Sequence, residues 1–169
     1  MTILAIISFV IFAAFVTLSV LFFKWQKSYS TYAPLWGKKV PIDNVNLWSA
    51  VTMVCALLLL VAMIGLGEDS KWQFLGFLAP VYLVIVSLTP NYQDEDKKKQ
   101  KLLYIVAASV CAACSLLWII LVVHLWWVPL ITFACAAAAA YFTKTWRACY
   151  IFWAEMAMFA AVYAITIFA

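Results

Sequence analysis

The sequence predicts an all-α integral membrane protein, a compact bundle of six transmembrane helices with both termini on the non-cytoplasmic side. Three observations predict it. The 169 residues are 69% hydrophobic and only 11% charged, whereas soluble domains are about half apolar and a quarter charged. Apolar runs of around 20 residues recur, the length a helix needs to cross a hydrocarbon core. Basic residues gather in alternate connections, the pattern by which loop charge sets orientation. No stretch is polar enough to fold separately, so residues 1–169 read as a single polytopic membrane domain.

The first span is expected at residues 2–23. A cleaved signal peptide is not expected there. No basic segment precedes the apolar run, the run is too long, and Lys24 and Lys27 follow it where small residues would mark cleavage. The second span covers residues 46–66 and the third 72–88. "GLGEDSKWQ" leads into the third with Ser70 and Gln73 at the spacing of a capping box. That structural role is preferred over an outer cation site at Glu68 and Asp69. Pro80 lies mid-span and frees a backbone carbonyl near Gly76, which predicts a kink. Spans four and five, residues 102–123 and 127–142, divide at "VVHLWWVP". There His124 can face water, Trp126 and Trp127 suit the interface, and Pro129 is tolerated in a first turn. The sixth span covers residues 146–168.

The loop after span one carries Lys24, Lys27, Lys38 and Lys39. The loop after span three carries Lys97, Lys98, Lys99 and Lys101, and the loop after span five carries Lys144 and Arg147. Only Lys71 of the 11 basic residues falls on the other side. These loops are therefore expected in the cytoplasm, and a bacterial cytoplasmic membrane is the expected location. The charged run "QDEDKKKQK" reads as a solvated topogenic loop, with anionic-lipid binding a secondary role. The longest loop, residues 24–45, interleaves Trp25, Tyr29, Tyr32 and Trp36 with lysines. Beside a membrane this reads as a segment lying on the headgroups, so the lipid bilayer is the expected partner and nucleic acid is not. No internal repeat is evident, although six helices permit a three-plus-three inverted arrangement.

Glu155 is the chief candidate for chemistry. It is the only charged residue of "YIFWAEMAMF". Eight residues beyond Arg147, it would lie roughly 12 Å into the membrane, too deep to snorkel. No Lys or Arg falls inside any expected span, so a neutral or proton-sharing Glu155 is expected in the absence of a bound ion. Intramembrane carboxylates mark ion and substrate paths by default. Asn46, Ser49, Thr52, Tyr104 and Tyr150 are placed at similar depth and can hydrogen-bond a carboxyl group or a polar ligand. Together they suggest a polar cavity open to the cytoplasm with Glu155 at its floor. Tying helices together is the competing role for the Asn, Ser and Thr.

The remaining candidates carry less. His124 has no other His or Cys pair beside it in the sequence, so no metal site is expected. "CAAC" (Cys111 to Cys114) is a CxxC pair inside an apolar helix, where an accessible low-pKa thiolate is not expected, and redox work beside a quinone is the lesser reading. Ala107, Cys111 and Ser115 instead form a small stripe that matches "ACAAAAA" in span five and suits close helix packing. The five cysteines read as packing residues. No phosphate-loop, nucleophile-elbow or dinucleotide motif occurs, so no cofactor and no catalytic residue is assigned.

The leading functional expectation is transport or binding of a small cationic or amphipathic ligand, in a homo-oligomer or alone. An accessory subunit of a larger membrane complex is the alternative. A membrane enzyme acting on a lipidic substrate comes third, since one carboxyl and a distant histidine make a thin catalytic set.

Overall fold

The structure, a computed structural model, describes residues 2–40, 46–89 and 98–169. Lys97, the 93–97 part of the charged run and the end of the 24–45 loop lie outside these residues. Among the described residues all regular structure is helical. α1 is Thr2–Phe23, and a 3-10 turn, Tyr29–Thr31, runs directly into α2, Tyr32–Lys39. α3 is Leu47–Leu66, α4 is Phe74–Ser87, and α5 is Lys98–Trp118, continued by a π-helical turn at Ile119–Val123. α6 is Trp127–Phe142 and α7 is Tyr150–Phe168.

Among the described residues, four helices are long and apolar enough to cross a membrane: α1, α3, α5 with its π turn, and α7. α4 and α6 are apolar but have only 14 and 16 residues. At 1.5 Å per residue they are about 21 and 24 Å long, short of a ~30 Å hydrocarbon core.

The expected boundaries shift where side chains take over backbone bonding. Asn46 precedes α3 as its N-cap, accepting the Trp48 N–H at 3.0 Å. The capping box expected before α4 does not form, because the Gln73 N–H donates to the Ser70 carbonyl and not to its hydroxyl. Ser70 Oγ accepts the Trp72 N–H at 3.2 Å, and Gln73 Nε2 donates to the Ile64 carbonyl at the end of α3. α7 begins four residues later than expected because residues 143–149 form successive turns, tied by a Thr143–Thr145 hydroxyl bond of 2.8 Å. The break between α5 and α6 falls at His124 as expected. That residue adopts a left-handed conformation at φ 60° and its side chain is exposed.

Packing follows a curved order that closes only through the π turn. α4 lies between α3 and α5, α3 between α4 and α1, α1 between α3 and α7, and α6 flanks α7. α7 meets the far end of the α5 segment through the π turn. The stripe expected to join spans four and five does not do so. The buried Ala107 and Ser115 accompany the packing of α5 on α4, while α6 packs on α7 and leaves Ala134, Cys135 and Ala138 exposed. At the junction of α3, α4 and α5, a Cβ on Gly76 would lie 2.8 Å from Trp118 Nε1 and 3.2 Å from the Met63 carbonyl oxygen. Only glycine allows that approach.

The segment after α1 corrects the headgroup expectation. Tyr29, Tyr32, Ala33 and Trp36 are buried, and Trp25 stacks on Trp153 with ring centroids 5.0 Å apart. The segment folds inward because its polar tips find partners there. Tyr32 OH donates to the Lys24 carbonyl at 2.9 Å, and Trp36 Nε1 donates to Ser19 Oγ at 2.8 Å. Burying an amphipathic ring is favourable once its hydrogen bond is met.

Candidate functional site

Glu155 lies five residues after the start of α7, about 7.5 Å along the axis. α7 contains no basic side chain. The partner of the carboxylate is main chain: the Tyr29 N–H donates to Glu155 Oε2 at 2.6 Å. Tyr29 opens the 3-10 turn that feeds α2, so its N–H belongs to the unpaired donors of a helical start. A carboxylate at that end also complements the dipole of the helical segment. The exchange is mutual, since the Phe152 N–H in the first turn of α7 donates to the Lys27 carbonyl at 2.9 Å. Two helical starts thereby cap one another.

Other polar groups join from two further elements, α3 and α5. Tyr29 OH and Thr52 Oγ1 of α3 are 3.1 Å apart, and Tyr104 OH of α5 donates to Ser30 Oγ at 2.7 Å. Burial pushes the Tyr29 phenol well above its ordinary pKa, against a smaller opposing effect of the Thr52 bond, and raises Tyr32 to about 12. Both phenols stay neutral and keep their protons for hydrogen bonding.

This cluster stands at one end of a cleft of about 440 Å³ between α5 and α7. Glu155, Ser30, Tyr104 and Thr52 line that end. Leu59, Met63, Pro80 and Leu83 line the back, from α3 and α4. The volume falls within the range of ~300–1,000 Å³ typical of small-molecule sites. The cleft differs from the expected polar cavity in two ways. Its walls are mostly apolar, and Tyr29 and Ser30 cover the end beside the basic loops.

Of the expected site residues, Glu155, Thr52 and Tyr104 come together at the cleft, and Asn46, Ser49 and Tyr150 do not. Asn46 is occupied by its cap and by donating Nδ2 to the Ala33 carbonyl at 2.7 Å. Ser49 does not line the cleft, and its buried Oγ has no hydrogen-bond partner. Three-residue steps turn a helix by about 300°, so Asn46, Ser49 and Thr52 fan out across the surface of α3. Tyr150 is 61% exposed. Five residues from Glu155, it lies about 140° away around α7. Tyr29 and Ser30 are not among the expected site residues, because aromatics interleaved with lysines suit a membrane interface. The signal lay in "SYST", four consecutive hydrogen-bonding side chains in a short connection.

The cysteines are free thiols, and only Cys111 lines the cleft. Among the described residues no group of three His, Cys, Asp or Glu side chains could hold a metal ion. No family model, curated protein or solved structure matches the chain.

Proposed function

We propose that this protein binds a small cationic or amphipathic ligand beside Glu155 and acts as a small membrane transporter or ligand-binding protein. The observation that carries the reading is a carboxylate held at the polar end of a ligand-sized, otherwise apolar cleft. Among the described residues the partly buried carboxylate meets a backbone amide and no basic side chain, an arrangement that favours a cationic group close to it. The reading includes six spans, α4 and α6 crossing with the help of adjoining turns and local bilayer thinning. By the distribution of basic residues, both termini lie outside a bacterial-type cytoplasmic membrane.

Binding of tetraphenylphosphonium, a lipophilic cation, to the purified protein tests the site. Glu155→Gln should abolish saturable binding and its pH dependence while the protein still inserts and folds. Undiminished binding by that variant would overturn the reading. For orientation, Ile3→Cys should react with an impermeant thiol reagent in intact cells. Labelling only after permeabilisation would reverse the topology.

A second reading, a subunit of a larger membrane complex or a homo-oligomer, is favoured by the exposed small residues Ala134, Cys135 and Ala138 of α6. Small faces suit helix association in lipid. Gentle detergent extraction should then recover a stoichiometric partner or a defined homo-oligomer, and a monodisperse monomer would count against both.

A further inference from the structure

The rim of the cleft and its covered end point to a route and a ligand class. Along its open side the cleft is bounded by Ala112 and Leu116 of α5, Phe133 of α6, and Ile151 and Ala154 of α7. All five are exposed on the outside of the bundle, with Leu116, Phe133 and Ile151 each above 40%. Every one is apolar. Such a rim is matched to acyl chains, and it gives an approaching hydrated ion nothing with which to replace its water.

The end nearest the basic loops is closed instead. The turn over it is fixed to α7 by the Tyr29–Glu155 and Lys27–Phe152 bonds, to α5 by Tyr104–Ser30, and to α3 by Tyr29–Thr52. We infer that the ligand reaches Glu155 sideways from the bilayer, between α5 and α7, and that it is a single-chain amphiphile with a cationic head. The head lies by Glu155, Ser30 and Tyr104. The chain lies along Met63, Pro80, Leu83 and Leu116. This assignment rests on the ligand-binding reading above and specifies its substrate class.

Size and charge argue against a transmembrane helix in the same place. A cleft of about 440 Å³ lies toward the lower end of the ~300–1,000 Å³ range typical of small-molecule sites. A helix would also need to present a cation to Glu155 at depth, which is costly in lipid. A flexible chain with an ammonium at one end meets both conditions.

The test uses dodecyltrimethylammonium carrying a diazirine at its chain end, photolysed with the protein in vesicles, with labelled positions mapped by mass spectrometry. Tail labels are expected on α4 and α5 residues of the cleft. Ala154→Trp and, independently, Ala112→Trp narrow the mouth from opposite walls, and each should lower labelling by about tenfold or more. Excess tetramethylammonium, which lacks the chain, should compete poorly.

Full labelling in both tryptophan variants together with effective competition by tetramethylammonium would mean access from water. That would overturn the lateral route and leave the Glu155 site standing. Undiminished labelling in Glu155→Gln would sink the underlying reading instead. A dimer that Ala154→Trp dissociates would show a second copy occupying the cleft, and the amphiphile assignment would fall.

Discussion

The Tyr29 backbone N–H donates to Glu155 Oε2 at 2.6 Å, joining positions 126 residues apart. The bond separates two roles of one side chain, its shape as an acceptor and its charge. Glu155→Gln keeps an acceptor oxygen in place and should leave folding nearly unchanged. Glu155→Ala strands the N–H in a partly buried place and should cost about 1–3 kcal/mol. Thermal unfolding in detergent reads the difference. Equal stability of the two variants would mean the bond contributes nothing.

The phenol of Tyr29 bonds Thr52 inside the bundle. Tyr29→Phe and Thr52→Val should each destabilise by about 0.5–1.5 kcal/mol. Because they remove the same bond, the double variant should lose clearly less than the two losses added together. Full additivity would dismiss the contact.

Gly76 admits the Trp118 indole at a distance no other residue tolerates. Gly76→Ala should force α4 and α5 apart, at a cost of about 1–3 kcal/mol. Trp118→Phe removes the indole nitrogen that the new methyl would strike, so it should recover part of that loss when combined with Gly76→Ala. A stability assay across the three variants decides it, and no recovery would place the clash elsewhere.

Lys24, His124 and Lys144 hold left-handed conformations where α1, the π turn and α6 end. Side-chain-bearing residues pay about 1–2 kcal/mol there, and glycine avoids that strain while losing more chain entropy on folding. Lys144→Gly should therefore stabilise by roughly 0.5–1 kcal/mol, whereas Lys144→Val should not. A lower melting temperature for the glycine variant would contradict the backbone assignment.

The helical class and most helix locations were legible because apolar runs and the polar breaks between them are local properties of the chain. The first span matches α1 at both ends, and the break at His124 lies where water-facing and interfacial residues coincide. What the sequence hid was set by distant partners. The late start of α7 depends on threonine hydroxyls bonding within the 143–149 turns. The burial of Tyr29, Tyr32 and Trp36 depends on acceptors supplied by α1, α3 and the main chain. Glu155 stood out from composition alone, yet its partner could not be found by searching for a basic side chain, because the donor is a backbone amide. Tyr150 and Asn46 stand at the starts of α7 and α3, turned away from the cleft, and azimuth is harder to read from a hydrophobic run than position along it.

The mutual capping of α7 and the segment after α1 also bears on the order in which the chain is made. Tyr29 leaves the ribosome 126 residues before Glu155. At synthesis rates of about 5–20 residues per second, that interval lasts roughly 6–25 s. Throughout it the segment before α2 has no acid to receive its first amide, and the cleft has no second wall. Assembly of the site therefore waits for the last helix. A chain halted before α7 would present the inward-folding tyrosines to quality control as an unfinished surface.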